Sequence, residues 1–558
     1  MSRAIGYLVS SGAFAARVLP TTFLVIWLAG LVPLGLLYTT IPGSPDQAIF
    51  DYIGWLGTQG FSYYSDAFDH AWPGGFLAHE IAIRLFGVES WSFRTLDYAI
   101  MQLSTLAGAA FLLRSGHAVA ATAFLALYPP IYVTGGYWMV GQNDMLGANF
   151  LLGAMALSIG RRPAGGRRIA LEGLLAGLLL AGAVFLRPTY LAFAAGLGGL
   201  IALQVVLKLR SARMQEGGRG DLRRLPWMTA GLFGGFAAAA LWALAAGNLS
   251  AWAEQAVFFN LGAYNDGSFT LNPVHTMKRV LWFVWHWITV LGLVGAAVWL
   301  WSCGETMRHG EDGARSRLAL LATLGLGLTA LVSFAVQRKG FDYHLMALLP
   351  ALVLLIVMMA DWGARAALGI GGPTGMLWQM TRRLAGTLLL FGWLAVVSVG
   401  TLAKLPSLSP AAAAVSGAVM DEGRWRAPLL APNAPSTALL DAAEDVMRAP
   451  KAPEGTFLQF GRAYELAFLS ERLPPTRFIA VEAAMVVDPD SVLGQRWNAE
   501  FAAALEAEMP AFVFVAARHL PLDPLAHPMK ASLAELLAYE RYLEVLRGRE
   551  GVLYQRSE

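Results

Sequence analysis

Long apolar runs separated by short polar ones fill the first three quarters of the chain. Stretches of about 20 residues rich in Leu, Ala, Val, Phe and Gly recur near 18–40, 93–114, 118–136, 144–160, 169–186, 189–208, 226–246, 280–302, 317–336, 345–362 and 384–403. Each is close to the length that crosses a hydrocarbon layer of roughly 30 Å, so the pattern predicts eleven transmembrane helices. Beyond about Leu405 it changes. A Pro/Ala/Ser linker leads into two short apolar runs, Phe457-Leu458-Gln459-Phe460 and Phe512-Val513-Phe514-Val515-Ala516, that read as buried strands. Ser436–Met447 and Met529–Leu546 carry the spacing of amphipathic helices. The expected fold is a polytopic α-helical membrane body, 1–404, followed by a soluble α/β domain, 405–558.

Composition agrees with this division. Counting Gly and omitting Tyr, about 64% of the residues are apolar, against roughly 45–50% in soluble domains. Charged residues make up about 22% of 405–558 but only about 11% of the rest. The net charge of +3 comes from arginines scattered between apolar runs, without the basic face that a nucleic-acid partner requires. A single cysteine, Cys303, excludes an intramolecular disulfide framework and a cysteine zinc cluster.

The basic residues also orient the chain. With the N-terminus in the cytoplasm, the inner segments hold roughly 19 Lys and Arg and the outer ones about 8, as the positive-inside rule demands. That arrangement needs an odd number of spans and leaves the C-terminal domain on the extracytoplasmic side.

Unusual polar residues collect on that outer side. The first outer loop carries Asp46, Gln47, Asp51 and Tyr52, and then Tyr63, Tyr64, Asp66, Asp69, His70, Trp72 and Pro73. Ile49, Phe50, Ile53 and Leu56 fall at helical spacing, which predicts an amphipathic helix lying in the interface. Asp46 sits at its start, where an N-cap is the plain reading; Trp72–Gly87 reads as a further interfacial or half-inserted helix. The next outer loop ends in Gly141-Gln142-Asn143-Asp144, and ionisable residues at a membrane boundary are candidates for function. Arg187-Pro188 opens the third, and Gln337-Arg338-Lys339-Gly340-Phe341-Asp342-Tyr343-His344 forms the fifth. Arg338 and Lys339 could equally snorkel to lipid headgroups.

The run Pro45-Asp46-Gln47, Phe50, Tyr52, Gly54, Gly60, Tyr63, Asp66, Asp69, Pro73 and Leu85-Phe86-Gly87 resembles the first outer loop of the GT-C glycosyltransferase superfamily, in the branch with protein O-mannosyltransferases and lipid A aminoarabinose transferases. Gly141-Gln142-Asn143-Asp144, Phe185-Leu186-Arg187-Pro188 and Lys339-Gly340-Phe341, Tyr343-His344 are similar to its later motifs, in the same order over residues 1 to about 360. Gln47 stands where Glu is frequent, and Trp72-Pro73 where Lys-Pro-Pro is common. The resemblance implies an inverting transfer of a sugar from a polyprenyl-phosphate carrier to an acceptor hydroxyl of a glycan, lipid or protein, outside a bacterial-type inner membrane. It implies Asp46 as general base. Asp66, Asp69, His70, Gln142, Asp144, Tyr343 and His344 are then substrate-binding candidates, and Arg187, Arg338 and Lys339 candidates for the lipid phosphate. No cofactor is required; a divalent metal, if used, would take Asp46 and Asp144. A transporter or flippase would place ionisable residues at the midplane of several spans, often in inverted repeats. A polysaccharide polymerase or ligase would share the lipid-linked donor.

Overall fold

The structure, a computed structural model, describes residues 24–39, 43–133, 138–159, 165–210, 223–245, 248–266, 313–337, 339–367, 438–538 and 541–557, with a few isolated residues and short stretches between them. Expected spans 280–302 and 384–403 lie almost wholly outside these ranges. The chain divides into two compact units, and the division is not the one at residue 404. One unit gathers 1–40, 97–237 and 271–430; the other combines 41–96 and 238–270 with the tail, 431–558.

Five helical stretches among the described residues are long and apolar enough to cross a membrane: Ser92–Arg114, Gly166–Leu186, Arg224–Leu244, Leu318–Gln337 and Asp342–Trp362. Leu24–Thr39 and Ala118–Val133 are shorter apolar helices. Asn143–Ser158 has only 16 residues, about 24 Å at 1.5 Å per residue, and nearly every one of them is buried. A helix covered on all sides needs no polar face, which is why it reads as a span by composition alone.

Backbones in the first unit approach through small residues. A Cβ built on Gly177 would lie 2.1 Å from the carbonyl oxygen of Met228, and one on Gly231 would lie 2.2 Å from that of Leu174. Helices 166–186 and 224–245 therefore touch main chain to main chain, the contact that small residues permit between membrane helices.

The second unit is built on a four-stranded sheet. The strands are β1, Phe457–Phe460; β2, Phe512–Ala516; β3, Tyr542–Arg547; and β4, Gly551–Arg556, in the order β1-β2-β4-β3. β1 and β2 run parallel, with Phe457 opposite Phe512 and Phe460 opposite Val515, and both are buried along their whole length. A parallel pair covered on both faces has no polar alternation, as the two apolar runs predict. Helices Ala438–Arg448 and Val492–Ala507 belong to the same unit. The helix expected over Met529–Leu546 ends at Ala538, and Tyr542–Arg547 instead pairs antiparallel with β4. Pairing fills the β4 edge, whose backbone groups a helix would leave without partners.

Helix Pro45–Thr58, expected in the first outer loop, is buried from Gln47 to Leu56, so it is a core element and does not present an apolar face at the surface. Tyr52 donates its hydroxyl to the carbonyl of Arg472 at 2.7 Å, and the Phe68 N–H bonds to the Arg477 carbonyl at 2.6 Å. Phe68 packs against Trp497, Phe478 and Phe259, at centroid distances of 4.8, 5.6 and 5.9 Å. Gln255 reaches back to the Tyr64 carbonyl at 2.8 Å. Loop, connecting segment and tail thus share one hydrophobic core. The exposed apolar stripe belongs to helix Pro73–Phe86, where Leu77, Ile81 and Leu85 are on the surface at intervals of four.

Gly177→Leu should force the two backbones apart and destabilise the membrane body by about 1–3 kcal/mol, read as a lower thermal midpoint of the purified protein. An unchanged midpoint would refute the backbone contact.

Candidate functional site

Asp46 lies in the first turn of helix 45–58. Pro45 occupies the first turn as well, and Ser44, not Asp46, holds the N-cap position. The Gln47 side-chain oxygen accepts the Ser44 N–H at 3.2 Å, the return half of a capping box. Capping is therefore done by Ser44 with Gln47, which corrects the N-cap reading of Asp46. Among the described residues no hydrogen bond reaches the Asp46 carboxylate, which sits in the positive field of the helix N-terminus.

Three groups share the field of that carboxylate: Asp69, Arg462 and Tyr464. Asp69 is buried and accepts the Ala71 N–H at 2.6 Å. Burial first, then the negative charge of Asp46, raises its pKa to about 7 against the opposing backbone hydrogen bonds. Tyr464 is pushed above the ordinary phenol range by burial and by the charges of Glu482 and Asp69, so it keeps its proton. Arg462 bonds Glu482 from Nε at 3.0 Å, His519 bonds the same carboxylate at 2.8 Å, and Arg518 pairs with it too. Burial tends to raise the Glu482 pKa, but His519 and the two arginines outweigh it and hold the group below the usual carboxylate range. Two guanidinium groups on one carboxylate leave a net positive charge in this cluster.

None of these tail residues emerges from motif reading. Their common feature is position: Arg462 follows the end of β1 by two residues, and Arg518 and His519 follow the end of β2. The carboxyl ends of neighbouring parallel strands are where open sheets bind ligands. The two buried runs, each followed within three residues by Arg, were the available signal.

The first unit brings together another set. Asp144, fully buried at the start of helix 143–158, accepts from Arg187 Nε at 3.0 Å and Nη2 at 2.7 Å, both on Oδ2. His344 Nδ1 is 2.9 Å from the same oxygen, and the Gln337 amide is 3.4 Å from Oδ1. Tyr190 donates to the Asp144 backbone carbonyl at 2.8 Å. The Tyr343 ring lies 4.3 Å from that of His344. Arg187, expected as a phosphate ligand, is thus fixed by Asp144. Lys339, nearly covered, has its pKa lowered by desolvation. Arg338 lies outside the described residues.

Other sequence candidates have local tasks. Asp66 accepts the Ser62 N–H at 2.7 Å and closes a turn. Gln142 is the N-cap of helix 143–158, its amide on the Trp138 carbonyl at 3.3 Å. The His70 ring packs 4.1 Å from that of Tyr264. Among the described residues no group of three or more His, Cys, Asp and Glu is arranged to hold a metal. Asp144 as placed is engaged by an arginine and a histidine, a donor set that suits an ion pair better than a metal; Asp46 has one neighbouring carboxylate, Asp69.

No protein-family model matches the chain, and no curated protein is similar to it in sequence. Among solved structures it is similar to ArnT from Cupriavidus metallidurans, in the apo state with a TM-score of 0.53 and bound to undecaprenyl phosphate with 0.52. In both, identity is 15%, over 96% of this chain and 98% of that one. The likeness is one of fold, and it runs over nearly the whole length of both chains.

The raised Asp69 has a stability consequence. The folded chain holds this proton up to about pH 7, whereas the unfolded chain loses it near pH 4. Folding then binds the extra proton between those values, so stability falls as pH rises through that window, by on the order of a few kcal/mol in total. Asp69→Asn keeps the bond from Ala71 and should flatten the fall in thermal midpoint between pH 4.5 and 7.5. A variant with the same pH dependence as the parent would contradict the assignment.

Proposed function

We propose that this chain is an inverting glycosyltransferase that moves a hexosyl or pentosyl group from a polyprenyl-phosphate donor to an acceptor hydroxyl on the outer side of a bacterial-type inner membrane, with Asp46 as general base. The observation that carries the reading is the state of Asp46. A carboxylate on the first turn of a buried helix, relieved of capping and without a hydrogen bond among the described residues, is free to accept a proton from a substrate. The fold likeness to ArnT, one crystal of which holds undecaprenyl phosphate, supports a lipid-phosphate donor. We further propose eleven spans, a cytoplasmic N-terminus and an extracytoplasmic tail.

In this mechanism the acceptor oxygen forms its bond to the anomeric carbon while the bond from that carbon to the phosphate oxygen breaks. The hydroxyl proton passes to Asp46, and the electron pair leaves with the lipid phosphate. Fixed cations favour that developing charge most where water is excluded. Arg462, anchored by Glu482, is a cation in the unit of Asp46; Arg187, Arg338 and Lys339 are proposed as lipid-phosphate contacts on the sequence resemblance. Tyr464, which keeps its proton, and Asp69, about half protonated at neutrality, serve as donors to sugar hydroxyls. Asp144, His344 and Tyr343 hold Arg187 and the remaining substrate contacts.

Asp46→Asn preserves size and helix-start preference and removes the base. Transfer from a synthetic polyprenyl-phosphate sugar should fall by a factor on the order of 10² to 10⁴, with the thermal midpoint unchanged. Full activity in this variant would assign the base elsewhere.

A further inference from the structure

Within the second unit, a cavity of about 320 Å³ opens at the far end of helix 45–58 from Asp46. Its wall includes Gly57, Ser62, Tyr63, Glu80, Trp242 and Asn248. The volume is at the lower end of ligand pockets, roughly 300–1,000 Å³. Asn248 is 1% exposed, yet among the described residues neither its amide nitrogen nor its amide oxygen has a hydrogen-bond partner. It holds the N-cap position of the short helix Leu249–Trp252 but makes no side-chain cap bond. A buried amide left unmade is costly, so the side chain is built for something that enters the cavity.

The chemistry of the wall narrows the occupant. Glu80 is paired with Arg84 at 2.7 Å and accepts the Tyr63 hydroxyl, so the charges on this wall cancel and give no net attraction for a phosphate. What is unmet is neutral, one amide donor group beside one carbonyl acceptor, the complement of neighbouring hydroxyls. Trp242, 37% exposed and 5.3 Å from the Tyr63 ring, supplies an aromatic face. The helices that supply Glu80 and Trp242 also expose apolar side chains: Leu77, Ile81 and Leu85 on helix 73–86, and Leu241 and Leu244 next in sequence to Trp242. Amide, aromatic plate and apolar surround fit the sugar ring of a membrane-anchored glycolipid.

We infer that this cavity is a binding site for an outlying sugar of the acceptor glycolipid. Gly57 is eleven residues from Asp46 on one helix, about 16 Å. A donor sugar whose anomeric carbon is at Asp46 does not reach so far, which leaves the acceptor; this assignment rests on the transferase reading, while sugar binding itself does not.

The test uses the full chain in nanodiscs with octyl glucoside below its micellar concentration as probe and octanol as control, observed by saturation-transfer NMR. Saturable glucoside binding, weakened at least about 10-fold by Asn248→Leu while octanol contacts persist, is the expected result. Because the substitution removes an unsatisfied buried amide, its thermal midpoint should hold or rise. Equal glucoside binding by parent and variant would overturn the site, as would a marked fall in midpoint, which would make Asn248 structural. In transfer assays with a glycolipid acceptor, Asn248→Leu should raise the acceptor KM at least about 10-fold with kcat unchanged. An unaltered KM, with glucoside binding lost, would remove the acceptor role and leave the sugar site. Failure of the transferase reading shows separately, as an active Asp46→Asn.

Discussion

Burial of the 45–58 helix under the tail is the constraint on which the second unit depends. Its residues Gln47 to Leu56 are buried, which a single helix achieves only if other elements cover it on every side. The tail does so with the Arg472 carbonyl on Tyr52 and the Phe478–Trp497 cluster on Phe68. Apolar burial at roughly 25 cal/mol per Å² holds the helix in place, and the capping bond between Ser44 and Gln47 fixes its first turn. With the turn fixed by other residues, Asp46 has no capping task, as its proposed role as base requires.

Charge is handled differently in the two units. Asp144 is fully buried and paired with Arg187 and His344, an arrangement in which removing one partner would leave an uncompensated charge. Glu482 gathers two arginines and a histidine, and one of them, Arg462, shares the field of Asp46. One arrangement fixes a cation by a carboxylate; the other brings a cation, Arg462, towards a carboxylate that has no hydrogen bond among the described residues. Asp69 differs from both, since burial raises it towards neutrality.

Much of this was legible from residue order. Alternation of apolar and polar runs located helices such as 92–114 and 166–186, and the uninterrupted runs at 457–460 and 512–516 became parallel strands, because burial on both faces removes any need for polar positions. Asp144, Arg187 and His344 stood out as ionisable residues at the ends of apolar runs, and they meet in space. Arg462 and Tyr464 did not stand out, because polar residues in a soluble-looking tail are ordinary and only the fold brings them to Asp46. The same limit explains the division of the chain: composition separates 405–558 from the rest, but shared burial joins that tail to 41–96. The strand at 542–547 was hidden for a related reason, since a partly exposed edge strand keeps no strict alternation.

The central claim is that the tail completes the chemistry around Asp46, and Arg462 is its most direct test. Arg462→Gln should be assayed for transfer from a synthetic polyprenyl-phosphate sugar, alongside its thermal midpoint. The account predicts a fall in kcat of at least about 10-fold, partial recovery with Arg462→Lys, and a midpoint close to that of the parent, because a half-exposed side chain contributes little to stability. Unchanged kcat in Arg462→Gln would contradict it and reduce the tail to a cover for the helix.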